Sequence, residues 1–204
     1  MKILNLYSGI GGNRMMWGDE HQITSIEYDS KIAHIYSQLF PGDELIIADA
    51  KEYLLNNYKD FDLIWASPPC QSHSRARLWE PKFIDLSLYQ IIIFLQNHFD
   101  GAWVVENVIP YYEPLIKPNS VISRHNFWSN INLNDILISK KEQISIETAK
   151  VEDFAKYYNI DLNNIEFKKG TKKVQIFRNM VEPEIGKLIL DRCIKPITTL
   201  LEYY

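Results

Sequence analysis

Short apolar runs at residues 3–6, 23–27, 45–48, 63–66 and 103–105 recur along the first half of the chain, with polar or mixed stretches between them. Runs this uninterrupted suit strands covered on both faces. The intervening segments Ser30–Leu39 and 86–97 have helical length and spacing. The alternation therefore predicts an α/β fold, a mostly parallel sheet with helices on both faces. Pro41-Gly42 and Pro68-Pro69 punctuate the pattern. After Val108 it stops: Pro110, Pro114 and Pro118 break the chain, and residues 126–138 read as short strands joined by Asn-rich turns. A last helix over 184–191 or a little beyond is introduced by Pro183 in a first-turn position.

A length of 204 residues suits one domain with a full core, and 46% apolar with 24% charged residues argues against a disordered or disulfide-scaffold chain. The two cysteines, Cys70 and Cys193, cannot form a disulfide framework or a four-cysteine metal site, and no metal is expected. No run approaches the roughly 18 apolar residues of a membrane span, and no signal-peptide pattern follows Met1. The expectation is an intracellular protein in a reducing compartment, with no membrane partner. The net charge of −4 argues against nucleic acid until it is divided. Residues 1–62 hold 5 basic and 10 acidic side chains, whereas residues 136–178 hold 9 basic and 6 acidic. Lys168, Lys169, Lys172, Lys173 and Arg178 lie in the second block, as a solvated turn or as a phosphate-binding strip.

The run Leu4-Asn5-Leu6-Tyr7-Ser8-Gly9-Ile10-Gly11-Gly12 reads as a strand, a glycine turn and then a helix entered at about Asn13. Glycines there allow a tight turn and close approach of a ligand, and equally an ordinary connection. Glu27, 18 positions after Gly9, ends the second strand where doubly wound folds place a ribose-binding acid, and Asp49 ends the third. Helix capping is the alternative for both. Ser67-Pro68-Pro69-Cys70-Gln71 then puts a thiol at the end of the fourth strand, on the same sheet edge. A double proline fixes the backbone that presents this soft nucleophile, whereas Cys193, in the terminal helix, fits a buried structural role. Glu106, in Trp103-Val104-Val105-Glu106-Asn107-Val108, adds a carboxylate at the lip of the fifth strand. A thiol, a carboxylate and a nucleotide-like cofactor together suggest covalent activation of an electron-poor ring.

On these residues the sequence resembles the DNA cytosine-5 methyltransferases. The match runs in order through Tyr7 to Gly12, Glu27-Tyr28, Asp49, Pro69-Cys70-Gln71, Glu106-Asn107-Val108, Ser123-Arg124-His125-Asn126-Phe127-Trp128-Ser129-Asn130 and Arg178-Asn179-Met180-Val181-Glu182-Pro183. Cys70 and Glu106, 36 positions apart, are its specific pair. The resemblance implies a Rossmann-like S-adenosylmethionine-dependent methyltransferase fold and S-adenosyl-L-methionine as cofactor. It implies that Tyr7, Ser8, Gly9, Gly11, Gly12, Glu27, Tyr28, Asp49, Pro69, Asn179 and Val181 hold that cofactor. It gives Cys70 the attack on C6, Glu106 the hold on N3 and the exocyclic amine, and Arg124 a contact to the cytosine carbonyl, with Gln71 beside the nucleophile. The partner it implies is double-stranded DNA with a flipped base, served by Ser72, His73, Arg75 and Arg77 after the nucleophile and by Lys168, Lys169, Lys172 and Lys173.

Several positions depart from the pattern. Asn5 replaces an aspartate, Arg178 a glycine and Met180 a small residue, and the two-arginine motif keeps one clear arginine, Arg124. The resemblance divides the chain into a catalytic and cofactor-binding domain, residues 1–130 and 174–204, and a small target-recognition region, residues 131–173. So short a region leaves three outcomes open: a short or degenerate site, a protein partner that supplies specificity, or tolerance of many contexts. Alternative readings are cytosine-5 methylation of RNA or a free nucleotide, and a catalytically silent DNA- or cofactor-binding relative.

Overall fold

The computed structural model describes residues 1–75, 83–138 and 148–194. Its centre is a seven-stranded sheet in the order β3-β2-β1-β4-β5-β7-β6. The strands are β1 Lys2–Leu6, β2 Gln22–Glu27, β3 Glu44–Ile47, β4 Leu63–Ala66, β5 Ala102–Val108, β6 Ser120–Ile122 and β7 His125–Ser129. The first five pair in parallel, while β7 runs antiparallel to both β5 and β6. The apolar runs become strands because one set of their side chains meets each face. Leu4, Leu6, Ile64, Ala66 and Val105 pack on one side with α3, Ser87–His98, and α2, Ala50–Asn57. Ile3, Leu63, Trp65, Val104 and Phe127 pack on the other with α6, Pro183–Ile194.

Helix α1, Ser30–Leu39, is capped by Asp29, whose carboxylate accepts from the Lys31 N–H at 2.7 Å. A third apolar cluster joins α1 to α4, Val151–Tyr158, and α5, Lys173–Arg178, through Ile35, Ile10, Phe154, Tyr158 and Phe177. The segment around α4 therefore packs directly on the glycine turn and α1.

Two expectations are corrected. No α-helix follows the glycine turn: residues 12–16 make turns only, with Arg14 and Met15 donating to the Gly11 carbonyl. Tertiary partners claim the side chains a helix would have carried on its outside. Asn13 donates to Asn5 at 2.9 Å, Arg14 forks onto Asp43, and the Trp17 indole donates to the Gly186 carbonyl at 3.1 Å. The other correction concerns the strands expected over 126–138. Residues 130–138 form none, and β7 finds its antiparallel partner earlier, in β6, among the prolines. There the Asn119 side chain accepts the Ser129 N–H at 2.8 Å and fixes the hairpin ends.

α6 seats on the turn through Gly186. A Cβ built there would lie 2.1 Å from the carbonyl oxygen of Asn13, a backbone atom with nowhere to retreat. Gly186→Ala gains about 1 kcal/mol of helix propensity, but overpacking against rigid backbone costs about 1–3 kcal/mol. Chemical denaturation should show a net loss of stability, and a net gain would mean that α6 does not rest on Asn13.

Among the described residues no helix is long and apolar enough to cross a membrane, and no cluster of three or more His, Cys, Asp or Glu could hold a metal ion.

Candidate active site

The order of strands reverses between β1 and β4, so a crevice opens at their carboxyl ends, where doubly wound sheets bind ligands. The glycine turn leaves β1 on one side of it. Tyr7 and Gly9 both take φ of 56°, and the Ser8 N–H closes back onto the Ile26 carbonyl at 3.0 Å. The Gly9 N–H donates to Glu27 Oε2 at 3.0 Å, while Glu27 Oε1 accepts from the Asp29 N–H. Burial raises the Glu27 carboxyl above its ordinary range against those hydrogen bonds. A Cβ on Gly9 would meet nothing within 4 Å, so the turn faces open space. Behind it, a Cβ on Gly12 would lie 2.6 Å from the Val181 carbonyl oxygen, because Met180 and Val181 lie against the turn. Ser8 Oγ is buried without a hydrogen-bond partner at the mouth of this cradle.

The remaining expected cofactor residues divide by exposure. Tyr28 is 77% exposed, and Asp49, Pro69 and Asn179 are exposed, whereas Val181 is buried. Asp49 caps α2, accepting from the Glu52 N–H at 2.8 Å through Oδ1. Burial, with the Asp49 and Asp85 carboxylates nearby, pushes the Tyr7 phenol up.

β4 delivers Cys70 on the other side of the crevice. Pro68 is buried and Cys70 half-buried, and neither cysteine is in a disulfide. Asn107 positions this loop: its Nδ2 donates to the Pro68 carbonyl at 2.9 Å, tying the end of β5 to the end of β4. After Cys70 the chain makes one turn, with the His73 and Ser74 N–H groups donating to the Cys70 carbonyl. Segment 109–112 then clamps it, since Tyr111 N–H donates to the His73 carbonyl and Arg75 Nε to the Pro110 carbonyl. His73 is only 1% exposed, its Nδ1 2.6 Å from the Tyr112 hydroxyl, and burial lowers its proton affinity. In this conformation it anchors the loop from inside and does not face solvent. Gln71 and Arg75 are exposed, Ser72 accepts from the Asp85 N–H, and Arg77 lies outside the described residues.

Glu106 is 6% exposed and lies between side chains from both neighbouring strands. On the β4 side, the Trp65 indole N–H donates to Ser67 Oγ at 3.0 Å, and Ser67 hydrogen-bonds the Glu106 carboxyl. On the β7 side, His125 Nδ1 lies 3.7 Å from Glu106 Oε1. That separation is within ion-pair range, but burial disfavours the charged form of both groups, so that below neutral pH both are uncharged: Glu106 is pushed up to about 7 and His125 down to about 3. The Ser67 bond and the Arg124 charge pull Glu106 back only in part. Arg124 itself donates through Nη2 to the carbonyls of Arg178 and Met180, at 3.1 and 3.3 Å.

This pair carries a pH signature. Between about pH 4.5 and 6.5 the folded protein holds one proton on Glu106, and the unfolded chain holds one on His125 instead. The numbers balance, so the pair adds no slope to stability across that window. Glu106→Gln leaves only the depressed histidine, whose contribution is present above its unfolded pKa and lost as pH falls from about 6.5 toward 3. His125→Asn leaves only the raised carboxyl, whose contribution is full below about pH 4.5 and lost as pH rises through about 7. Denaturant titrations from pH 4.5 to 6.5 should give opposite slopes, each at most about 1.4 kcal/mol per pH unit. Slopes of the same sign would contradict the neutral pair.

The residues that sequence reasoning missed are the supports: Ser67, Asn107 and His125. Each stands inside or beside a quoted motif, and adjacency to Cys70, Glu106 and Arg124 was the available signal. The basic strip lies along α1, where the Gln38 side chain bonds the Glu166 backbone. Lys168, Lys169, Lys172 and Lys173 are exposed, and Lys173 Nζ sits 4.2 Å over the Phe167 ring. A Cβ on Gly170, between them, would come within 3.2 Å of Lys31 Nζ.

No curated protein matches the sequence. Among solved structures the chain resembles a DNMT2 variant from Spodoptera frugiperda, with 12% identity, a TM-score of 0.60 and coverage of 95% of this chain and 99% of that one. It also resembles the methyltransferase EhMeth of Entamoeba histolytica, with 10% identity, a TM-score of 0.56 and coverage of 96% and 98%. At these identities the likeness speaks to the fold, which is the Rossmann-like fold of S-adenosylmethionine-dependent methyltransferases. A family model, C-5 cytosine-specific DNA methylase, matches residues 1–109, from the first strand through the Glu106-Asn107-Val108 motif. The chain belongs to the C-5 cytosine-specific DNA methylase family, whose reaction is methyl transfer to cytosine C5.

Proposed function

We propose that this protein methylates C5 of cytosine in double-stranded DNA through a covalent bond between Cys70 and C6 of a flipped base. The observation that carries the reading is the joint placement of Cys70 and Glu106. Cys70 follows β4 and Glu106 lies in the adjacent β5, and the Asn107 bond to the Pro68 carbonyl ties the loop of one to the strand of the other.

The cradle fits S-adenosylmethionine: open space over Gly9, an unpartnered Ser8 hydroxyl, and the Glu27 carboxylate at the ribose position. Tyr7, Ser8, Gly9, Gly11, Gly12, Glu27, Tyr28, Asp49, Pro69, Asn179 and Val181 would hold it, with the Asp49 cap leaving its second oxygen for an adenine amine. When bound, the cofactor supplies an electrophilic methyl group.

The chain's own residues prepare the acceptor. The Cys70 thiolate forms a bond to C6, and the electron pair moves toward N3, where the Glu106 acid donates a proton and stabilises the ring. C5 becomes enamine-like and takes the methyl group. A base or water removes the C5 proton, and the S–C6 bond breaks to release Cys70. A stacked base cannot reach this site, so the nucleotide leaves the duplex at a cost of a few kcal/mol. Gln71, Ser72, Arg75 and Arg77 follow the nucleophile and serve the opened strand, and Lys168, Lys169, Lys172 and Lys173 meet phosphates beyond it. Residues 131–173 form the recognition region, with any further specificity coming from a protein partner.

Methyl-labelled S-adenosylmethionine offered with duplex DNA, RNA of the same sequence and free cytidine nucleotides tests the reading by nucleoside mass spectrometry. Labelled 5-methyl-2′-deoxycytidine from the duplex is expected. Label in RNA or nucleotide alone would move the substrate to the alternative class, and cofactor binding without incorporation anywhere would indicate a silent relative.

A further inference from the structure

Two consecutive basic residues stand at the entry to β7, Arg124 in the turn and His125 as the first strand residue, and the fold sends them in different directions. Arg124 turns to the Arg178 and Met180 carbonyls and so holds the segment that lies on Gly12. His125 turns to Glu106. In the β5/β7 ladder Glu106 pairs with Phe127 and Val108 with His125, which places Glu106 and His125 diagonally on one face of the sheet. His125 is 4% exposed, and its Nδ1 has no hydrogen-bond partner although Glu106 Oε1 is 3.7 Å away. A buried ring nitrogen without a partner carries a desolvation penalty, and the nearest carboxyl is the one that meets the base.

We propose that His125, rather than Arg124, is the basic positioning residue of the base site, holding Glu106 from β7 as Ser67 holds it from β4, while Arg124 secures the segment over the cofactor. This rests on the function proposed above. With Nδ1 protonated, the imidazole donates to Oε1 and leaves the acid's own proton for the cytosine ring nitrogen. A neutral donor suits that task, because a guanidinium at the same contact would draw the carboxyl toward its ionised form.

The test compares His125→Ala, His125→Asn and Arg124→Ala in the full chain. Loss of the hold on Glu106 should lower kcat for methyl transfer about 100-fold in His125→Ala, with the cofactor Kd changed less than about twofold. Asn keeps a donor nitrogen close to Nδ1 and should recover at least about tenfold of that loss. Arg124→Ala should instead raise the cofactor Kd about tenfold. A parental kcat in folded His125→Ala, or the same loss of cofactor affinity in both alanine variants, would overturn the division of roles. A readout without substrate separates this from the proposed function: Glu106→Gln should move the ¹⁵N resonances of the His125 ring. An unmoved ring in Glu106→Gln would sink the contact, whereas a parent protein that methylates no cytosine would count against the function instead.

Discussion

Cys70→Ala should abolish methyl transfer, lowering the rate by at least about a thousandfold, because addition of its thiolate at C6 is what makes C5 nucleophilic. Cys70 has a fixed approach: the double proline and the Asn107 bond to Pro68 limit the conformations of its loop, so little alignment entropy is left to lose. The matching control is Cys193→Ala. Cys193 sits in α6 beside the Ile185 and Ile189 cluster, where burial pushes its thiol up to about 12 and keeps it inert. Its replacement should leave the rate of transfer unchanged and cost only packing. Comparable losses in the two variants would remove Cys70 from the role of nucleophile.

Glu106→Gln should lower kcat by about 100- to 1000-fold, the range for loss of one preorganised group facing developing charge. Gln keeps the shape and a carbonyl for the exocyclic amine, but it cannot give N3 a proton. Since Glu106 is pushed up to about 7, the parent's acid form declines as pH rises through neutrality, and the corresponding limb of the pH–rate profile should fall there. In Glu106→Gln that limb should be absent. A variant with an unaltered limb would assign the titration to another group.

Much of the fold was legible because the sheet is buried on both faces. Residues 63–66 read as a strand from their apolar run alone, and α1 was bounded correctly by its own periodicity after the Asp29 cap. What could not be read depends on partners far along the chain. Arg14 leaves the helical pattern for Asp43, and Trp17 for Gly186, 169 positions away. Nothing in the local sequence announces either bond.

The site divides in the same way. Cys70 and Glu106 were visible in their motifs, whereas the place of His125 beside Glu106 follows from the antiparallel register of β5 and β7, and that of Arg124 from carbonyls more than 50 positions away. The uneven charge was visible too, but not that the lysine turn folds against α1 beside Lys31.

The covalent step is the centre of the account, and trapping tests it most directly. Duplex DNA carrying 5-fluorocytosine, incubated with the protein and S-adenosylmethionine, should form an adduct that survives denaturation, since fluorine at C5 blocks the elimination that frees the thiol. Peptide mapping should place it on Cys70, and Cys70→Ser should abolish it. A parent protein that methylates cytosine in the duplex yet leaves no adduct, or an adduct on Cys193, would contradict the account.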